Sequence, residues 1–296
     1  AAGIREELAQ HDLVFFAGVS SQAAVPVFDD KGPLLPPETK IVYLHHNPWE
    51  IGKNHMGGYG AWGELKRSLS ALVEIARARS VPYGDKITKR LQEIRQEGKK
   101  RKKELNLLLE REMEAGILTG RTIAGILNRC LPRDGNFTIV NEGVSNAMPF
   151  IDYLDLWEVK QYTAGKGGGL GHGVAQALGI SLAEPSRKVV SISGDGTLLY
   201  YPQVFYNAYQ AKARVLFLIL NNKSYRILKT ALKSLGPPLG EKEIECLDLA
   251  DPIDIIQLAR SFGVQGERVN RLADLEEAIK RGLSYDGPYV LDIAVI

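Results

Sequence analysis

Two short polar clusters, Gly194-Asp195-Gly196-Thr197 and Asn221-Asn222-Lys223-Ser224, close two apolar runs and carry the residue types best suited to chemistry in this chain. Asp195 offers a hard anionic oxygen, Asn222 a neutral amide oxygen, and Ser224 a backbone carbonyl in a turn that folds back. That set suits Mg²⁺, which takes oxygen ligands in an octahedron completed by phosphate oxygens and water. Gly194 and Gly196 allow close backbone approach, and the amides of Gly196 and Thr197 would open a helix or turn toward an anion. The residue types describe a site for Mg²⁺ and a diphosphate.

The elements that must position these groups are legible around them. Val189–Ser193 and Val215–Leu220 are β-branched, apolar and of strand length, with almost no alternation, as expected of parallel strands buried on both faces. Pro202–Ala213 is long enough for one crossover helix. A right-handed β-α-β unit puts both polar ends at the carboxyl edge of the sheet, where open α/β folds bind ligands, so Asp195 and Asn222 are expected to face one crevice.

With Asn222 lying 27 positions beyond Asp195, the paired motif resembles that of the thiamine-diphosphate-dependent enzymes. The resemblance implies that Asp195, Asn222 and the Ser224 carbonyl hold the metal. It places a diphosphate-binding hydroxyl at Ser145, in Asn141–Asn146, where a helix N-cap is a compatible reading. In the Gly-rich run Thr163–Gly173 it puts the backbone contact to the aminopyrimidine at Gly168 and Gly169, and a bulky apolar prop for the bent cofactor at Leu170. His172 follows as packing or pocket lining, and Tyr225, Ile227 and Leu228 enter the substrate pocket. A dinucleotide loop is rejected for the Gly-rich run because no strong strand precedes it.

Earlier segments fit the same family. Asp12–Gly18 and Lys40–Leu44 read as buried strands and Glu64–Ala78 as a helix, resembling the second half of the family's Rossmann-like middle domain. His45 and His46, at a strand end, are expected to point to opposite faces and so not to share a metal with His55. Some relatives bind FAD or a nucleotide in this domain, but Asn47 stands where the family usually has Asp, which leaves FAD unsupported. Ile87–Met113 is strongly charged, with Lys99–Lys103 flanked by acids, and reads as a solvated helix or linker rather than a nucleic-acid patch. Thr119 caps a helix over Arg121–Cys130, and Phe137–Val140 is a strand.

The expected division is a partial middle domain over 1–80, a charged helical linker over 81–116, and a thiamine-diphosphate and Mg²⁺-binding domain over 117–296. The fold class is α/β, a parallel sheet flanked by helices. Net charge is only +2, which argues for neither nucleic acid nor membrane partners. The two cysteines have no metal-ligand spacing and read as reduced thiols of a cytoplasmic protein. The first residues, Ala1-Ala2-Gly3, already lie in a helical pattern, so the start is expected not to be the native one.

The function implied is decarboxylation or carboligation of 2-oxo acids, benzoylformate decarboxylase-like or acetolactate synthase-like, with thiamine diphosphate and Mg²⁺. Two alternatives remain: a 2-hydroxyacyl-CoA lyase or oxalyl-CoA decarboxylase type, and a non-catalytic cofactor-binding subunit. The family's activating Glu belongs to a pyrimidine-binding domain without counterpart here, expected from missing N-terminal residues or another chain. The family also implies a homodimer or homotetramer.

Overall fold

The computed structural model describes residues 2–20, 34–53, 55, 57–165, 169–234, 246–249 and 253–296. The chain divides into two compact units, Ala1–Gly98 and Lys99–Ile296.

In the first unit α1 (Ala2–Leu8) precedes three parallel strands in the order β1-β2-β3: β1 (Leu13–Ala17), β2 (Lys40–His45) and β3 (Tyr59–Trp62). Leu35, Ile41 and Tyr43 form its small core. β1, expected to be buried, is an edge strand with no buried residue in this unit. β3 is four residues with an internal glycine, too short to show a strand period in the sequence. Next come α2 (Leu65–Ser80), whose first amides are capped by the Glu64 carboxylate, and the start of α3 (Gly84–Glu114). Most of the segment read as a linker is this unbroken helix of 31 residues; the boundary between units falls within it.

The second unit holds a six-stranded, all-parallel sheet in the order β5-β4-β6-β7-β9-β8. In chain order its elements are α4 (Gly120–Cys130), β4 (Phe137–Glu142), α5 (Met148–Tyr153), β5 (Tyr162–Ala164), α6 (His172–Ala183), β6 (Lys188–Gly194), α7 (Asp195–Leu198), α8 (Val204–Gln210), β7 (Val215–Asn221), α9 (Arg226–Ser234), α10 (Ile255–Ser261), β8 (Gln265–Val269), α11 (Leu272–Ser284) and β9 (Tyr289–Ala294). Thr119 caps α4 as expected, accepting from the Thr122 N–H at 3.2 Å.

The central strands read as unbroken apolar runs because both faces are covered. Leu216, Leu218 and Leu220 of β7 pack with α4 and α11, while Val215, Phe217 and Ile219 turn the other way, toward α6, α8 and α10. Each such side chain contributes about 1.5–3 kcal/mol on burial. This double core fixes the strand register and therefore where each strand ends.

Candidate functional site

The register aligns the carboxyl ends of the central strands: Glu142 of β4 pairs with Ser193, Gly194 of β6 with Leu220, and Asn221 of β7 with Ala294. The loops that leave β4, β6 and β7 line one cleft, and Leu170 joins them from the Gly-rich run. Among the sequence-derived candidates, Ser145, Leu170, Gly194, Asp195, Gly196, Thr197, Asn222, Ser224, Tyr225 and Ile227 all line it.

Asp195 ties two of the loops together. Its Oδ2 accepts the Lys223 N–H at 2.6 Å and its Oδ1 the Gly196 N–H at 2.8 Å. The Gly196 amide, expected to face an anion, is therefore already taken by its neighbour's carboxylate. Burial pushes the Asp195 carboxyl above its ordinary value of 3.8, partly offset by the N–H donors of Gly196, Lys223 and Asn222. A cation placed beside the carboxylate would offset the burial of its charge.

Asn222 Oδ1 accepts the Ser224 N–H at 2.9 Å, closing a turn. Lys223 lies between them at φ 54°, in the left-handed region. Ser224 is held in extended backbone by an antiparallel bridge to Asp248; the flanking bonds run from Tyr225 N to Leu247 O and from Leu249 N to Lys223 O. In such a bridge the N–H and C=O of Ser224 both face away from the partner strand. Its N–H reaches Asn222, so its carbonyl turns to that same side. Asp195, Asn222 and Ser224 all line the cleft and offer a carboxylate, an amide oxygen and a carbonyl, an all-oxygen set whose chemistry suits Mg²⁺ and not a soft metal. Leu170, Leu220, Tyr225 and Ile227 contribute apolar surface to the same cleft. Tyr225 lies over the first turn so closely that a Cβ at Gly196 would come within 2.5 Å of its ring.

Ser145 lines the cleft from a 3-10 turn, Val144–Asn146, and is not the N-cap of α5, which is Ala147. Asn141 holds that loop, accepting the Gly143 N–H at 2.9 Å and donating to the Ala147 carbonyl at 2.9 Å. Val144 has φ 50°, a conformation a β-branched residue adopts only under strain.

Three candidates stand elsewhere. Leu228 and Gly169 are not among the described residues lining the cleft, and both are exposed. The His172 ring does not line it either: its Nδ1 lies 2.8 Å from the Gly169 carbonyl and 2.9 Å from Glu142 Oε1. Gly168 and the segments 21–33 and 235–245 lie outside the described residues. A strand, β5, does precede the Gly-rich run, but it is three residues at the sheet edge.

Sequence reasoning missed two buried acids. Glu142 is 6% exposed and accepts from the Gly171 and Gly173 amides at 2.8 and 2.7 Å. Asp292, 1% exposed on β9, accepts from Asn221 Nδ2 at 2.9 Å; burial raises its pKa, while Asn221 and Arg268 lower it. An acid within the apolar run Tyr289–Ala294 was the available signal, since a charge is buried only with partners.

In the first unit the His45 and His46 rings stack, with centroids 4.6 Å apart, rather than pointing to opposite faces. The strand alternation does not extend to His46, because β2 ends at His45. His45 Nδ1 accepts the Asn47 N–H at 2.9 Å. A cavity of about 480 Å³ lies at the amino ends of β2 and β3, the edge opposite to where parallel sheets bind ligands.

The sequence and the fold have counterparts among known proteins. The thiamine pyrophosphate enzyme family, C-terminal TPP binding domain, matches residues 146–293. A benzoylformate decarboxylase from Pseudomonas aeruginosa is 28% identical over 296 residues, which cover 99% of this chain and 50% of that protein. A probable acetolactate synthase large subunit from Methanocaldococcus jannaschii is 25% identical over 263 residues, 88% of this chain and 42% of the relative. Among solved structures, the thiamine diphosphate-dependent 4-hydroxybenzoylformate decarboxylase of Rhodococcus jostii RHA1 has the same fold: TM-score 0.76 at 24% identity, over 99% of this chain and 50% of that one. The chain spans about half the length of the curated relatives it matches.

Proposed function

Because the chain belongs to the thiamine pyrophosphate enzymes and carries their C-terminal cofactor-binding domain, we propose that it holds thiamine diphosphate through Mg²⁺ and serves the decarboxylation or carboligation of 2-oxo acids. The observation that carries the proposal is the bond from Lys223 N to Asp195 Oδ2, which brings the two motif loops to one cleft.

In this reading Asp195, the Asn222 side chain and the Ser224 carbonyl hold the metal, and Ser145 and Thr197 meet the diphosphate. Leu170, Tyr225 and Ile227 exclude water from the organic part and shape the space for substrate. Bound thiamine diphosphate would supply the electron sink for cleaving the bond between the carboxylate and the keto carbon. The relatives, a benzoylformate decarboxylase and a probable acetolactate synthase large subunit, favour an aromatic or aliphatic 2-oxo acid. Asp195 is the one acid lining the cleft among the described residues. The acid that activates the aminopyrimidine is therefore proposed to come from a partner segment, on further residues or in another subunit of a homo-oligomer.

Titration calorimetry tests the proposal. Thiamine diphosphate is expected to bind in the presence of Mg²⁺ and not in EDTA, and release of CO₂ from 2-oxo acids is expected once the partner segment is supplied. Binding that ignores Mg²⁺ would overturn the metal assignment, and absence of binding would overturn the cofactor reading.

A further inference from the structure

The geometry points to Glu142 as a positioning residue for the organic half of the cofactor, acting through the backbone of the Gly-rich run without touching the ligand. It is not among the described residues that line the cleft, yet its buried carboxylate spends both oxygens on the residues that directly follow Leu170, which does. Oε1 accepts the Gly171 N–H at 2.8 Å and lies 2.9 Å from His172 Nδ1; Oε2 accepts the Gly173 N–H at 2.7 Å. Since Nδ1 also faces the Gly169 carbonyl at 2.8 Å, both its neighbours are acceptors and it carries the hydrogen. Three donors from three consecutive residues thus converge on one carboxylate at the start of α6.

The neighbouring glycines show how tightly this clamp closes. Gly173 approaches so near that a Cβ would stand 2.8 Å from both Cβ and Oε2 of Glu142. Gly171 has φ +89°, and a Cβ there would meet the Tyr201 ring at 2.4 Å. Leu170 immediately precedes the clamped residues and lines the cleft with an apolar side chain, whereas Asp195, Asn222 and Ser224 bring oxygens to it. An uncharged, weakly hydrated ring suits contact with the Leu170 side chain; a diphosphate does not. Glu142 therefore sets where Leu170 stands, and the metal loops are held by other bonds altogether, those of Asp195 and Asn222.

Only a carboxylate satisfies all three donors. Glutamine would keep one acceptor oxygen and turn an NH₂ group toward either the Gly171 or the Gly173 amide, a donor facing a donor. The inference rests on the cofactor reading above and separates into two ligand halves for testing. The full chain, wild type and Glu142→Gln, is titrated by calorimetry with thiamine diphosphate and, separately, with inorganic pyrophosphate, both in excess Mg²⁺.

The expected result is a loss of about tenfold in thiamine diphosphate affinity, the size of one lost charge-assisted hydrogen bond. Pyrophosphate affinity should stay within about twofold, as for sites with no shared partners. Equal losses for the two ligands, or no loss for either, would overturn the positioning role. A wild-type chain that binds neither ligand would overturn the cofactor reading, and this inference with it. Should Glu142→Gln fail to fold, His172→Ala is expected to give the same selective loss and His172→Asn, whose amide can donate from near the Nδ1 position, to restore affinity; selective loss without that rescue would count against the clamp.

Discussion

Asp195→Asn separates the fold from the metal site. In the wild type the carboxylate accepts the Gly196 N–H at 2.8 Å and the Lys223 N–H at 2.6 Å. Asparagine keeps one acceptor and presents NH₂ in place of the other, a cost of about 1–3 kcal/mol. Against it stands the removal of a buried charge that burial disfavours, a term of opposite sign. Without ligand the variant should therefore lose less than the full cost of about 1–3 kcal/mol. Ligand stabilisation has no such cancellation. At one hundred times Kd, Mg²⁺ and thiamine diphosphate add about 2.7 kcal/mol to the wild type. For a unit the size of Lys99–Ile296 that raises Tm by roughly 5–11 °C. The variant should shift by less than about 1 °C, because the cation has lost its only charged protein ligand.

Differential scanning calorimetry with and without ligand gives both numbers, and a full shift in the variant would refute the role of Asp195. The sign of the pH dependence follows from burial. A folded-state pKa above the ordinary 3.8 means that stability present below pH 3.8 is lost as pH rises through the higher value. The ligand-free wild type should therefore lose stability relative to Asp195→Asn over that interval. The Mg²⁺-induced shift should grow over the same interval, as the carboxylate ionises.

Other perturbations test other parts of the account. Leu170→Ala should weaken thiamine diphosphate by about fivefold through lost apolar contact and lower turnover in the complete assembly by more than that; equal turnover would argue against a propping role. Val144→Gly should raise stability by roughly 1 kcal/mol by releasing the strained φ of 50°, and a lower Tm would contradict the backbone assignment. Gly171→Ala should cost about 2 kcal/mol or more, from a left-handed backbone together with the Tyr201 contact. Adding Tyr201→Ala should recover only the part due to the ring. Asn221→Ala removes the donor to Asp292, and about 1–3 kcal/mol should be lost at neutral pH. That loss should shrink on acidification, because burial already holds the Asp292 pKa up and the protonated acid needs the donor least.

What the sequence disclosed and what it hid follow from the physics of the two halves of the site. β6 and β7 were readable because strands covered on both faces become unbroken apolar runs, and the polar residues closing them mark the carboxyl edge. That Asp195 and Asn222 face one cleft was inferable from that topology alone. Glu142 was not, since its partners lie some thirty residues away and are backbone amides, which leave no side-chain pattern. His172 was placed by analogy with an aromatic position, whereas its hydrogen-bonding Nδ1 draws the ring to Glu142 and Gly169. The short strands β3, β5 and β8 escaped notice because they show too few residues, or too much exposure, for a period of two to emerge.

Anomalous diffraction from crystals grown with Mn²⁺ in place of Mg²⁺, together with thiamine diphosphate, addresses the shared cation directly. One peak is expected, about 2.1–2.3 Å from a carboxylate oxygen of Asp195, the amide oxygen of Asn222 and the carbonyl of Ser224. A peak bound elsewhere, or a bound diphosphate with no metal touching Asp195, would contradict the assignment.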